Sequence, residues 1–213
     1  GGAADEELVL PMPQALEGDA TPLDQLAGPM RALALLLITA FLVLSDRGGG
    51  GHCGPNSIAF LLHRLGLFAN DGVALRRAVV SHARMLLEAD ASMQAEDRPE
   101  EGLKVRDYLV ASLASWPARA RQGRQVTAET WIELMSLGST WADEAFLAMS
   151  ADCFAVKIEY RAVDSTGASV RGGTLYPRMG QPATAHIILG LWIQQHYVAI
   201  LAAPTESIGD DED

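Results

Sequence analysis

The sequence predicts an α+β domain, a small mixed β-sheet packed between helices. Three observations carry this. Apolar residues recur at helical spacing through the first two thirds of the chain. Phe154–Tyr160 alternates apolar and polar residues. The chain then closes on two apolar runs, His186–Ile193 and His196–Leu201, separated by Gln194 and Gln195. Helices first and strands late fit a mixed sheet with helices gathered around it.

Residues 1 to 30 hold Pro11, Pro13, Pro22 and Pro29, several acids and no sustained period, and read as a flexible linker. The apolar run Ala32–Leu44 is thirteen residues long, too short to span a bilayer unaided, and no basic stretch precedes it as in a signal peptide. A buried helix turning into a strand accounts for it. Asp46–Gly51 is a loop with four consecutive glycines, 48 to 51. A helix follows, with Ile58, Leu61, Leu62 and Leu65 at i, i+3, i+4, i+7 and Gly66 placed to end it. A second helix runs from about Val73 to Ala89 on the stripe Leu75, Val79, His82, Leu86. Asp90–Gly102 is polar and acidic, a surface loop. Residues 103–115 read as helix, stopped by Trp116-Pro117, and Thr127–Leu137 as a short helix stopped by Gly138. Thr140 resembles an N-cap, with Asp143 and Glu144 in the favoured first turn of a helix reaching about Ser150. Phe154–Tyr160 is a half-buried strand, Asp164–Gly167 a turn, and Thr174–Tyr176 a short edge strand before Pro177. A terminal hairpin turns at Gln194-Gln195. The expected domain spans 31–203, followed by an acidic tail, 204–213.

Composition narrows the function. A chain of 213 residues suits one domain, and 49% hydrophobic with 20% charged residues is a globular balance. The formal net charge is −11. A phosphate-backbone binder or an anionic membrane surface calls for basic residues, so neither nucleic acid nor membrane is an expected partner. The last eight residues hold five of the acids, a solvated run. Cys53 and Cys153 are too few for a disulfide scaffold or a four-cysteine zinc site, and fit a reducing compartment. The chain begins Gly1-Gly2 rather than with Met, as either a piece cut from a longer polypeptide or a chain with residues left by cloning would.

The chemistry concentrates in Gly48-Gly49-Gly50-Gly51-His52-Cys53-Gly54-Pro55-Asn56-Ser57, where a glycine loop delivers a cysteine to the start of a helix. The field at a helix N-terminus favours a thiolate, and the thiolate is the nucleophile. Free backbone N–H groups beside it can stabilise an oxyanion. Glycines let a substrate backbone approach closely. Two other readings stand beside this one. Cysteine is a small hydrophobe that is often simply buried. A glycine loop before a helix can cradle phosphate, although the P-loop lysine and the dinucleotide glycine spacing are both missing. A nucleophilic cysteine needs a base. Among the five histidines, His52 adjoins Cys53 and neighbouring side chains point apart. His63 falls on the polar side of its helix, His82 reads as a satisfied core residue, and His186 as structural. His196 opens the last strand directly after a turn, where an imidazole is held rigidly near a loop surface.

A cysteine on a helix start, followed late in the chain by His196-Tyr197 on a terminal strand, resembles the ovarian-tumour (OTU) family of cysteine proteases. Thr140-Trp141-Ala142-Asp143-Glu144 is similar to that family's Trp-Gly-Asp-acidic helix start, and is followed, as in the family, by the strand Phe154–Tyr160. The order of elements agrees from about Leu36 to Leu201. The resemblance implies a papain-like, OTU-like fold, a Cys53 nucleophile and a His196 general base. It implies cleavage of isopeptide or peptide bonds after the C-terminal glycine of ubiquitin or a ubiquitin-like modifier. Backbone N–H groups of Gly50, Gly51 and His52 would form the oxyanion site. No metal or organic cofactor is implied. The expected partner is ubiquitin or a relative, the expected state a monomer, and the expected place the cytoplasm of the cell or of an infected host.

Two departures bear on the mechanism. The family usually carries Asp-Gly-Asn or Asp-Gly-Asp before the cysteine, where this chain has Gly50, Gly51 and His52. Many members place Asn or Asp two residues after the histidine to orient its ring; here that residue is Val198. Some members supply the acid from upstream of the cysteine, which makes Asp46 the candidate. The alternatives are a catalytically inactive module that binds ubiquitin, for which these departures speak, and a protease that processes its own polyprotein, for which the Met-less start speaks.

Overall fold

The apolar run Ala32–Leu44 belongs to two elements, helix α1 (Gly28–Ile38) and strand β1 (Leu42–Ser45). The structure, a computed structural model, describes residues 10–26, 28–38, 40, 42–48, 51–94, 102–178, 181–192 and 196–203. Past the glycine loop come α2 (Cys53–Arg64) and α3 (Gly72–Glu88). Asp71 caps α3, its side chain accepting from Ala74 N–H at 2.9 Å. A two-stranded ribbon follows, β2 (Ser92–Gln94) against β3 (Gly102–Lys104), then α4 (Val105–Ser115), α5 (Ala128–Ser136) and α6 (Glu144–Phe154). The remaining strands are β4 (Val156–Val163), β5 (Ser169–Leu175), β6 (Ala185–Trp192) and β7 (His196–Ala202).

Five strands form one mixed sheet in the order β1-β7-β6-β4-β5, parallel between β4 and β6 and antiparallel elsewhere. Side chains alternate across its two faces. On one face Val156, Ile158, Ile187, Leu189, Ala199 and Leu201 meet the helices α2 to α6. On the other, Val163, Ile188, Val198 and Ile200 meet α1 through Met30, Leu33 and Leu37. The sheet therefore lies between helices, as the sequence predicts.

The proline-rich start departs from the linker expected over residues 1 to 30. Among its described residues the carbonyls of Pro11 and Pro13 accept from His186 N–H (2.9 Å) and Ala202 N–H (3.1 Å), and Ala15 N–H donates to the Ala202 carbonyl (2.9 Å). Proline lacks a donor but keeps its acceptor, so a proline-rich segment can still close a sheet. Arg64 grips the same segment at the Gln14 carbonyl (2.8 Å) and at Asp19 (3.1 Å). Thr21 N–H then donates to the Leu44 carbonyl of β1 at 2.8 Å.

Other differences are local. Asp143, not Thr140, caps α6, accepting from Phe146 N–H at 2.8 Å, while the Thr140 hydroxyl turns back to the Leu134 carbonyl. Helix α6 continues to Phe154 and stops at Ala155 in the left-handed region (φ 51°), so the strand begins at Val156 rather than Phe154. The edge strand is longer than Thr174–Tyr176, and part of the expected loop 90–102 is the β2–β3 ribbon. The Gln194-Gln195 turn and the acidic tail lie outside the described residues. Among those described, no helix is long and apolar enough to cross a membrane.

Candidate active site

Three residues from distant parts of the chain meet at one end of the sheet. Cys53 is the first residue of α2 and is buried. His196 is the first residue of β7, and Asp46 follows the last residue of β1. β1 and β7 are hydrogen-bonded neighbours, and the Ser57 hydroxyl of α2 reaches the Tyr197 carbonyl at 3.4 Å, so strand pairing and helix docking together assemble the group. His196 Nε2 lies 2.8 Å from Asp46 Oδ1. A carboxylate only accepts, so Nε2 carries the proton and donates. The Cys53 thiol lies beside the ring and interacts with it, and Nδ1 is the ring nitrogen that Asp46 leaves unused.

Interaction with the Cys53 thiol raises the His196 pKa most. Burial opposes it, and the bond to and charge of Asp46 add to it, bringing the group to about 9. The imidazolium is therefore favoured at neutral pH. Asp46 is itself held. Its Oδ1 accepts from Gly48 N–H at 2.9 Å, and its own N–H donates to the Thr21 hydroxyl at 2.7 Å. Burial, then the charge of Asp152, pushes the Cys153 thiol up to about 11.

The loop ahead of Cys53 is tightly seated. Gly51 has φ +90°, and a Cβ there would lie 2.9 Å from the Ser139 carbonyl oxygen, so the position excludes a side chain twice over. At Gly54 a Cβ would meet that of Ala142 at 2.9 Å, so glycine lets α2 touch the entry to α6. The Tyr197 hydroxyl closes the other side by donating to the Ala142 carbonyl at 3.0 Å. Asp143 underlies this corner. Burial pushes its carboxyl up, and four donors oppose that: Ser112 Oγ (2.7 Å), Trp131 Nε1 (2.9 Å), Phe146 N–H (2.8 Å) and Trp116 Nε1 (3.0 Å). The Trp141-Ala142-Asp143 string thus joins α4, α5 and α6 beneath the site.

Comparison with known proteins places the architecture. No family model and no curated protein matches the sequence. Among solved structures it resembles the OTU domain of OTUD1, at 13% identity and a TM-score of 0.50 over 82% of this chain and 95% of that one. An OTU deubiquitinase from Wolbachia pipientis wMel bound to ubiquitin matches at 12% identity and 0.46, over 76% and 97%. The Hazara virus OTU bound to ubiquitin matches at 15% and 0.45, over 79% and 86%. The chain has the ovarian-tumour fold.

Within that fold, the departure at Val198 has a structural counterpart. Strand β1 runs antiparallel to β7 with Leu42 opposite Ala202 and Ser45 opposite Ala199. Extended by one residue, this register sets Asp46 across from Val198. The carboxylate stands on the neighbouring strand's continuation instead of on the histidine's own strand.

The remaining sequence candidates divide. Gly50 lies outside the described residues. Gly51 and His52 precede α2, and the His52 ring packs against Gly138. His63 is exposed. His82 pairs with buried Asp152 at 2.6 Å, and His186 lies 3.3 Å from Glu159. Neither belongs to the Cys53 group. Among the described residues, no cluster of His, Cys, Asp and Glu is placed to hold a metal ion. One residue at the site escapes the sequence reading. Arg76 of α3 is 3% exposed and bonds the Gly51 carbonyl. Its signal was the helical period, because Arg76, Val80 and Ala83 continue the buried stripe beside Leu75, Val79 and Leu86.

Proposed function

We propose that this chain is a thiol hydrolase that cleaves isopeptide or peptide bonds after the C-terminal glycine of ubiquitin or a ubiquitin-like modifier. The observation that carries the chemistry is the His196 ring, bonded to Asp46 at 2.8 Å and set beside a cysteine that opens a helix. The ovarian-tumour fold and the sequence resemblance support the substrate class.

Cys53, as thiolate, attacks the carbonyl carbon of the terminal glycine. The negative oxygen of the tetrahedral intermediate is held by backbone N–H groups of the residues leading into Cys53, among the described ones Gly51 and His52. The His196 imidazolium gives its proton to the leaving amine, and the C–N bond breaks to leave a thioester. Neutral His196 then takes a proton from water, whose oxygen attacks the thioester. The C–S bond breaks, releasing the carboxylate and Cys53, and the ion pair is restored. Asp46 keeps the proton on Nε2 and the ring in line throughout. An orienting carboxylate is what the reading as an inactive module lacks, and its presence favours catalysis.

The test is a ubiquitin probe with a C-terminal thiol-reactive warhead, applied to the wild type, Cys53→Ala and His196→Ala. A covalent adduct on the wild type, absent from Cys53→Ala and strongly slowed in His196→Ala, is expected. A folded wild type that forms no adduct rejects ubiquitin as the substrate. Iodoacetamide then reads the thiol alone. Cys53 reacting no faster than Cys153 rejects the hydrolase reading as well.

A further inference from the structure

Arg76 is a buried cation whose nitrogens, among the described residues, meet no carboxylate. Its guanidinium forks across three carbonyls instead. Nη2 donates to Gly51 and to Thr140, both at 2.8 Å, and Nη1 to Met135 at 2.9 Å. The charge also lies 5.5 Å from the centre of the Phe146 ring. A charged side chain buried in this way is uncommon unless paired, and here backbone dipoles from three segments replace the acid. Two of those segments flank the nucleophile: the glycine loop before Cys53 and the turn before α6.

The Gly51 carbonyl is the informative contact. In a trans peptide the C=O of one residue and the N–H of the next point in opposite directions. With the Gly51 carbonyl drawn inward to Arg76, the His52 N–H faces away from the buried guanidinium, one residue before Cys53. Gly51 itself sits close against the Ser139 carbonyl, so the two segments that Arg76 joins are in contact there. We propose that Arg76 is a positioning residue for the oxyanion. Its fork holds the Gly51–His52 peptide so that the His52 N–H meets the negative oxygen formed when Cys53 attacks. This rests on the thiol-hydrolase reading. A lysine carries the same charge but presents one nitrogen, not a planar fork, and cannot hold all three carbonyls in this geometry.

The experiment compares the wild type with Arg76→Lys in two reactions. Hydrolysis of a fluorogenic ubiquitin C-terminal amide passes through an oxyanion. Alkylation of Cys53 by iodoacetamide is a direct displacement at carbon and forms none. In Arg76→Lys the expected kcat is down about 100-fold, the typical cost of one oxyanion donor. KM and the alkylation rate should stay within about threefold of wild type. Hydrolysis at the wild-type rate overturns the proposal. So does a parallel fall in hydrolysis and alkylation, which would place the effect on the nucleophile. Loss of cooperative unfolding in Arg76→Lys would make the residue a fold clamp and overturns it too. A wild type that alkylates rapidly at Cys53 but does not hydrolyse the amide refutes the ubiquitin reading instead, and the oxyanion role falls with it.

Discussion

Replacing Asp46 with Asn and with Ala separates the two things its carboxylate does. Oδ1 accepts from His196 Nε2 at 2.8 Å and from Gly48 N–H at 2.9 Å. An amide oxygen can accept both bonds, so Asp46→Asn removes only the charge, whereas Asp46→Ala removes the charge and both bonds. The rise of His196 from 6.5 to about 9 corresponds in full to about 3 kcal/mol in favour of the imidazolium. Cys53 is the larger contributor. The Asp46 and His196 side chains are 33% and 20% exposed, so water and salt screen their attraction, and roughly 1 kcal/mol is assigned to the charge of Asp46. Asp46→Asn should therefore lower kcat/KM about fivefold. Asp46→Ala also frees the ring to turn away from the thiol, and misplacement of a catalytic group costs about 100-fold. The assay is hydrolysis of a ubiquitin C-terminal amide from pH 5.5 to 10. The wild type should lose activity on the basic side near pH 9, as the imidazolium loses its proton. In both variants that limb should move down by on the order of one pH unit. Asp46→Ala retaining more than a third of wild-type kcat/KM, with its basic limb unmoved, would refute the orienting role.

Thr21→Val removes the acceptor for the Asp46 N–H. It should cost about 1 kcal/mol, or about fivefold in kcat/KM, with Thr21→Ser close to wild type in the same assay. Gly51→Ala forces a Cβ against the Ser139 carbonyl at a positive φ. A loss of about 1–3 kcal/mol in denaturant unfolding is expected, together with collapse of kcat. Asp143→Ala strands two indole N–H groups and a hydroxyl in the interior, and should cost about 3 kcal/mol or more by the same unfolding measurement. Because the folded-state pKa of His196 is raised, its contribution to stability is complete below pH 6.5 and lost as pH rises through about 9. The Tm advantage of wild type over His196→Ala should shrink across that window.

Much of the fold was legible because its signals are local. The stripes of α2 and α3, the alternation of β4 and the paired runs of β6 and β7 each lie within one segment. The proline-rich start was not legible, because its contribution is made through carbonyls, which proline retains and which no side-chain pattern reports. The cap of α6 went to Asp143 over Thr140 for a tertiary reason: three donors, from α4, from Trp116 just past it and from α5, converge on that carboxylate. Arg76 was hidden by its own charge, which argues for solvent in any single-sequence reading, while its helical phase placed it inward.

The site shows where local reading stops. Cys53 and His196 announce themselves, one by a glycine loop before a helix and the other by a strand start after a turn. Asp46 is named in the sequence only through the family resemblance and has no local signal, since its relation to His196 spans 150 residues and exists only through the register of β1 on β7. That register also changes what the acid depends on. An acid at Val198 would sit within a strand paired on both sides by β1 and β6. Asp46 instead leaves an edge strand, and its backbone is fixed by Thr21 in the proline-rich segment while its side chain is fixed by the glycine loop. Moving the carboxylate one strand over therefore makes the N-terminal segment part of the site's support. A segment that composition assigns to a linker thereby acquires a mechanical role in aligning the imidazole.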